Sequence, residues 1–170
     1  MMRIIAGRFR GRRLKPPSGA RATADRVREA WFNILAPELD GASVVDLFAG
    51  SGALGLEALS RGAARVVFVE RARRSLAALE TNVMTLGARN RVKIQNIEVF
   101  RYLGRLDHVV FDVAFADPPF RTEDAARLLR HFRERPFARI LGIEHSALTP
   151  LAGDDSRRYG EVGLTFCYAP

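Results

Sequence analysis

The chain has one cysteine, two lysines and three histidines in 170 residues. A single thiol, Cys167, excludes an internal disulfide and a multi-cysteine metal site. It falls in an apolar segment near the end, Leu164–Tyr168, where a buried inert thiol is expected. His108, His131 and His145 have neither ligand nor triad spacing, so no metal is expected and all three read as structural or surface residues. No apolar run is long enough to cross a bilayer, and the N-terminus is too charged for a signal peptide. The default expectation is a cytoplasmic protein with no membrane partner. Internal repeats and low-complexity stretches are absent too. The length suits one domain with a full core and a small extension, and no apolar stripe demands a partner, so a monomer is expected.

What is present begins with Asp117-Pro118-Pro119-Phe120. It follows the apolar run 109–116, which reads as a buried strand. Two prolines cannot continue a sheet ladder, so the strand must stop there. A carboxylate, a carbonyl and an aromatic ring are then presented together at a strand's carboxyl end, where open α/β sheets bind ligands. The group suits gripping a flat amino group conjugated to a ring. Asp and Pro are also ordinary turn residues, so the tetrapeptide alone leaves a simple turn equally open.

A second motif lies upstream. Val44-Val45-Asp46-Leu47-Phe48 is a short apolar strand, followed by Ala49-Gly50-Ser51-Gly52-Ala53-Leu54-Gly55 and then a helical pattern through Leu56, Ala58 and Leu59. Gly50, Gly52 and Gly55 match G-x-G-x-x-G between a strand and a helix, a backbone that can turn tightly and approach a nucleotide-like ligand. A second strand, 65–69, ends in Glu70, an acid placed to accept hydrogen bonds from ribose hydroxyls. A dinucleotide is the first rival ligand. Asp46 argues against it, since it would set a negative charge near the pyrophosphate, and no second mononucleotide-binding half is evident. An acidic loop suits a cofactor that carries positive charge.

Asp46–Gly52 resembles the cofactor loop of class I S-adenosylmethionine-dependent methyltransferases. Asp117–Phe120 resembles the (Asp/Asn)-Pro-Pro-(aromatic) motif of the members that methylate planar exocyclic nitrogens. Three N-terminal stretches (Arg3–Gly7, Arg10–Leu14 and Thr23–Glu29), together with Ala53–Arg61, resemble the RsmD family, which methylates the N2 amine of a guanine in bacterial 16S ribosomal RNA. The resemblance runs over nearly the whole chain, and its N-terminal part is the most specific. It implies an α/β, Rossmann-like class I methyltransferase fold with a seven-stranded, mostly parallel sheet and a C-terminal antiparallel hairpin. It implies S-adenosylmethionine as cofactor, held by Asp46, Phe48, Ala49, Gly50, Ser51, Gly52, Gly55, Glu70 and Arg71, with Thr23 and Arg26 closing over it. Ala22 departs from the family, which commonly has proline there. Glu98 stands where relatives often carry Asp near the adenine. The resemblance further implies Asp117, Pro118, Pro119 and Phe120 as the catalytic group, with 16S ribosomal RNA or the small subunit as partner.

Charge is unevenly placed. Residues 1–30 hold nine basic side chains (Arg3, Arg8, Arg10, Arg12, Arg13, Lys15, Arg21, Arg26, Arg28) and two acids (Asp25, Glu29), which is +7 of the chain's +8. A basic segment beside a balanced domain implies a polyanionic partner, so Arg3, Arg8, Arg10, Arg12, Arg13 and Lys15 are the expected RNA contacts. The alternation of Met2–Ile5 and Arg8–Arg10 around Ala6-Gly7 predicts a two-stranded hairpin. Pro16–Gly19 is a connector, and Thr23 resembles the N-cap of a helix with the stripe Val27, Ala30, Trp31, Ile34 and Leu35. Trp31 and Phe32 are expected in the core. Residues 1–40 form the expected RNA-contacting extension and 41–170 the methyltransferase domain. Further helices are expected around Leu76–Val83 and Ala125–Phe132, and strands at 92–94 and 139–144. Alternating strands and helices imply a parallel sheet with right-handed crossovers.

Three other functions remain open at this level: methylation of adenine N6 or of a protein glutamine, a nicotinamide-dependent oxidoreductase, and a non-catalytic RNA-binding scaffold.

Overall fold

The computed structural model describes residues 2–17 and 23–170. Of the segments read above, Ser18, Gly19, Arg21 and Ala22 lie outside the described residues. In chain order the elements are β1 (Met2–Arg3), β2 (Arg13–Leu14), α1 (Asp25–Leu35), β3 (Ser43–Leu47), α2 (Ala53–Ser60), β4 (Arg65–Glu70), α3 (Arg73–Thr85), β5 (Val92–Asn96), α4 (Val99–Leu103), β6 (Phe111–Ala116), α5 (Asp124–Glu134), β7 (Ala138–Ser146), β8 (Asp155–Tyr159) and β9 (Val162–Tyr168).

Seven strands form one sheet in the order β5-β4-β3-β6-β7-β9-β8. The first five are mutually parallel, and β9 and β8 close the sheet as an antiparallel hairpin. From β3 the chain works outward to β5, then returns to the other side of β3 to lay down β6. Such a reversal opens a crevice at the carboxyl ends of the two central strands.

The strands are apolar on both faces because both are covered. Val44, Phe68, Val113, Phe115, Ile140, Leu164 and Phe166 pack under α1, α2 and α3. Val45, Leu47, Val69, Ala114, Ala116, Leu141 and Ile143 pack under α4 and α5. Trp31 and Phe32 are fully buried, as their place in the helical stripe predicts. Trp31 meets Phe115 and Phe166 edge-on at centroid distances of 5.3 and 5.5 Å. A Cβ on Gly142 would lie 2.1 Å from its ring, so β7 needs glycine where α1 crosses. Cys167 is buried, and burial pushes its thiol pKa up.

The N-terminal hairpin differs from the predicted one. Met2 pairs with Leu14 and Arg3 with Arg13, so the second strand is Arg13–Leu14, not Arg8–Arg10. Residues 7–10 instead turn against the end of α2. Phe9 is buried there and donates its N–H to Ser60 Oγ at 2.9 Å, while Arg8 N–H reaches Ser60 O at 2.8 Å. Alternation along Arg8–Arg10 thus reflects packing on a helix.

Three further corrections concern boundaries. Helix α1 starts at Asp25 with Ala24 extended at its cap, and no side chain caps it, so Thr23 is not the N-cap. The strand before Asp117 begins at Phe111, leaving Val109 and Val110 exposed. Glu98 caps α4, a short unpredicted helix, its carboxylate accepting from Arg101 N–H at 2.8 Å.

The extension has no core of its own. Met2, Ile4, Phe9 and Leu14 join the cluster beneath α1 and α2. Buried Glu57 of α2 accepts from Ile5 N–H at 2.8 Å, Ala6 N–H at 3.0 Å and Arg61 Nε at 2.9 Å. Sharing one buried carboxylate among three donors offsets its desolvation. Among the described residues, no helix is long and apolar enough to cross a membrane.

Candidate active site

The crevice between the ends of β3 and β6 is a cleft of about 940 Å³. Its floor is the loop after β3. Phe48 has φ +57° and Gly50 +57°, and Gly52 follows at +86°. The three motif glycines do different work. Gly50 faces open space, its nearest neighbour being Pro17 Cβ at 4.0 Å, so a ligand can approach its backbone. A Cβ on Gly52 would lie 2.4 Å from Leu79, and one on Gly55 2.4 Å from Phe68 Cε1. Those two glycines serve helix–sheet packing.

Three carboxylates surround this loop. Asp46, on β3, is buried, and its Oδ2 accepts from Gly55 N–H at 2.9 Å. Burial is the main cause that holds its pKa well above the ordinary 3.8. The Gly55 bond opposes that shift, and the charges of Asp117 and Glu70 add to it. Glu70, at the end of β4, accepts from Gly50 N–H at 2.8 Å through Oε2. Its Oε1 takes Arg71 and Ala72 N–H, both at 2.8 Å. Backbone donors thus fix its orientation before any ligand arrives. Asp117, just past β6, accepts at Oδ2 from the Thr23 hydroxyl at 3.0 Å.

The remaining predicted residues divide. Phe48, Ala49, Ser51, Arg71 and Glu98 line the cleft, as do Thr23, Pro118, Pro119 and Phe120. Arg26 is exposed and is not among the lining residues. Two positions on, Arg28 is wholly buried, with Nη2 donating to Arg3 O at 2.9 Å and to Asp25 at 2.5 Å. Thr23 lines the cleft, and its hydroxyl reaches Asp117. Arg3, Arg8, Arg10, Arg12, Arg13 and Lys15 are exposed along the extension.

Two contributors escaped the sequence reading. Asn82 of α3 donates to both Ser51 O and Lys15 O at 2.9 Å and accepts Lys15 N–H at 2.6 Å, joining the glycine loop to the extension. Its signal was a polar residue inside the stripe Leu76, Leu79 and Val83. Phe100, edge-on to Phe48 with centroids 6.4 Å apart, is covered by the Arg127 guanidinium at 3.7 Å. Phe100 and Arg127 do not line the cleft themselves but back Phe48, which does, and α4, which carries Phe100, was unforeseen.

This topology is that of the Rossmann-like methyltransferases. The RNA methyltransferase of Salinibacter ruber, solved with S-adenosyl-L-homocysteine, shares the fold at a TM-score of 0.71 and 15% identity, over 88% of this chain and 94% of that one. A hypothetical protein of Thermus thermophilus superposes with a TM-score of 0.89 at 30% identity, over 99% of this chain and 100% of that one. Residues 2–141 match the family model described as conserved hypothetical protein 95. Ribosomal RNA small subunit methyltransferase D of Escherichia coli K12 is 46% identical over 122 residues, which span 71% of this chain and 61% of that protein's length. The chain belongs to this family, the RsmD family of methyltransferases.

Proposed function

We propose that the protein transfers a methyl group from S-adenosylmethionine to the exocyclic N2 amine of a guanine in 16S ribosomal RNA. The observation that carries this is the placement of Asp117-Pro118-Pro119-Phe120 across the strand reversal from the Gly50 loop, both lining one cleft. Family membership supports the ribosomal substrate. The residues present fit the cofactor. Gly50 leaves its backbone open, and the carboxylates of Asp46, Glu70 and Asp117 favour a ligand bearing ammonium and sulfonium charge. When bound, S-adenosylmethionine supplies an electrophilic methyl group.

The chain's own residues do the rest. Asp46 and the glycine loop hold the amino-acid portion, Glu70 the ribose, and Glu98 with Phe48 the adenine. The N2 lone pair of guanine is delocalised into the ring, so the amine must be aimed and pyramidalised. Asp117 Oδ and the Pro118 carbonyl accept its two N–H bonds, which favours the nucleophilic form and supplies rate through orientation. Phe120 stacks on the base after it leaves its helix or loop. Residues 1–40 act as the RNA-contacting extension and 41–170 as the transferase domain of a cytoplasmic monomer.

The deciding experiment is transfer of labelled methyl to unmodified small subunits, 16S ribosomal RNA, DNA and a protein extract, with the product identified by mass. N2-methylguanosine in the ribosomal substrate is the expected result. Label in adenine N6 or glutamine instead refutes the guanine assignment.

A further inference from the structure

The basic extension does not crowd the mouth of the cleft. It runs along α2, away from it. Met2 and Pro17, at the two ends of the hairpin, line the cleft. Arg8, at its tip, is bonded to Ser60, the last residue of α2. Helix α2 starts at the carboxyl edge of the sheet and runs back toward the amino edge, about 12 Å for its eight residues. Arg12 donates to the carbonyl of Thr85, the last residue of α3, which also runs toward the amino edge. The tip of the extension therefore stands at the end of the molecule opposite the cleft.

Other arginines gather at that end. Arg65 opens β4, and Val66 pairs with Val92 in β5, so Arg65 and Arg91 stand side by side at the strand starts, about 5 Å apart in backbone spacing. Arg89 opens the 3-10 turn Arg89–Arg91 just before β5. Arg61 is excluded, since Glu57 holds it. The acids bordering the group are Asp40, next to Gly62, Glu80, in the groove it shares with Arg89, and Asp112, which accepts from Ser43 N–H at 2.8 Å while Arg65 donates to the Ser43 hydroxyl. Arg8, Arg10, Arg12, Arg65, Arg89 and Arg91 thus form a cationic surface that the cleft does not explain.

We infer that this amino-edge surface is a second ribosomal RNA contact, which grips backbone phosphates away from the target guanine. The inference rests on the RNA reading proposed above. The strands between the two sites are five or six residues long, so the sites stand roughly 20 Å apart. That distance corresponds to about six base-pair steps of a duplex, so within a helix the target guanine and its immediate neighbours do not reach it. The surface sets affinity for a large folded RNA and leaves the chemistry alone.

The test is the triple substitution Arg65→Gln, Arg89→Gln, Arg91→Gln, with the Arg89/Arg91 pair as a second variant. Binding to protein-free 16S ribosomal RNA is titrated across salt, and methyl transfer is measured at saturating small subunits. The expected result is at least a tenfold loss of affinity in the triple variant and a shallower salt dependence, by about two to three ions. Saturated turnover stays within twofold of the parent. Unchanged affinity and slope overturn the inference, as does turnover that falls at saturation. Weaker binding to subunits with unchanged binding to protein-free RNA overturns it too, by assigning the surface to a ribosomal protein. If the parent chain methylates no RNA, the proposed function fails on its own account, and the binding comparison still decides this surface.

Discussion

The Thr23 hydroxyl donates to Asp117 Oδ2 at 3.0 Å across 94 residues of sequence. Thr23, two residues before α1, is therefore tied directly to the carboxylate proposed to grip the target amine. A hydrogen bond to a charged group contributes about 1.5–3 kcal/mol, and here it also fixes the carboxylate plane. Thr23→Val is expected to lower kcat by about tenfold, with Thr23→Ser restoring most of it and cofactor affinity by calorimetry unchanged. A loss of cofactor affinity with kcat intact would assign Thr23 the cofactor-closing role that the family resemblance implied.

Asp117→Ala is expected to abolish methyl transfer while the cofactor still binds. Asp117→Asn keeps an oxygen acceptor without the charge and should retain weak turnover. Near-normal single-turnover rates in the alanine variant would remove Asp117 from the mechanism.

Asp46 gives a pH dependence whose sign is fixed by its environment. Its folded pKa is raised above 3.8, chiefly by burial. Between 3.8 and that raised value the folded state holds more protons than the unfolded chain. The stability linked to this proton is thus full below 3.8 and is lost as pH rises through the folded pKa. Asp46→Asn keeps an acceptor for Gly55 N–H and removes the charge. The variant should melt higher than the parent at neutral pH, with the gap closing toward pH 3.8. Thermal unfolding across pH measures this, and a gap that widens on acidification would contradict it. The same variant should bind a cationic cofactor more weakly.

Gly55→Ala tests whether the third motif glycine serves packing. The added methyl would lie 2.4 Å from Phe68 Cε1 and 2.8 Å from Val66 Cγ1. Overpacking of this kind costs about 1–3 kcal/mol, against a helix-propensity gain of at most about 1 kcal/mol. A net loss in denaturant unfolding is expected, and a stabilised variant would show that β4 yields easily.

The parallel sheet and the Gly50 and Asp117 motifs were legible because each rests on local chemistry, while the closing hairpin came with the family resemblance. Apolar runs, glycines between strand and helix, and a double proline declare themselves within a few residues. What escaped was decided by distant partners. Arg8–Arg10 alternates like a strand, yet Ser60 takes up the N–H groups of Arg8 and Phe9. Thr23 has the chemistry of a cap, yet Asp117 lies within its reach. Arg26 and Arg28 look alike in sequence, and only the packing of α1 buries one and exposes the other.

Glu57 and Asn82 have a consequence for how the chain assembles. They hold Ile5 and Lys15 across 52 and 67 residues. The β1–β2 hairpin therefore lacks these two partners until α2 and α3 are in place. Long-range closure of this kind is slow, so the hairpin is among the last parts to dock. In pulsed hydrogen exchange during refolding, the amides of Ile5, Ala6 and Lys15 should gain protection only after those of β3 and β4.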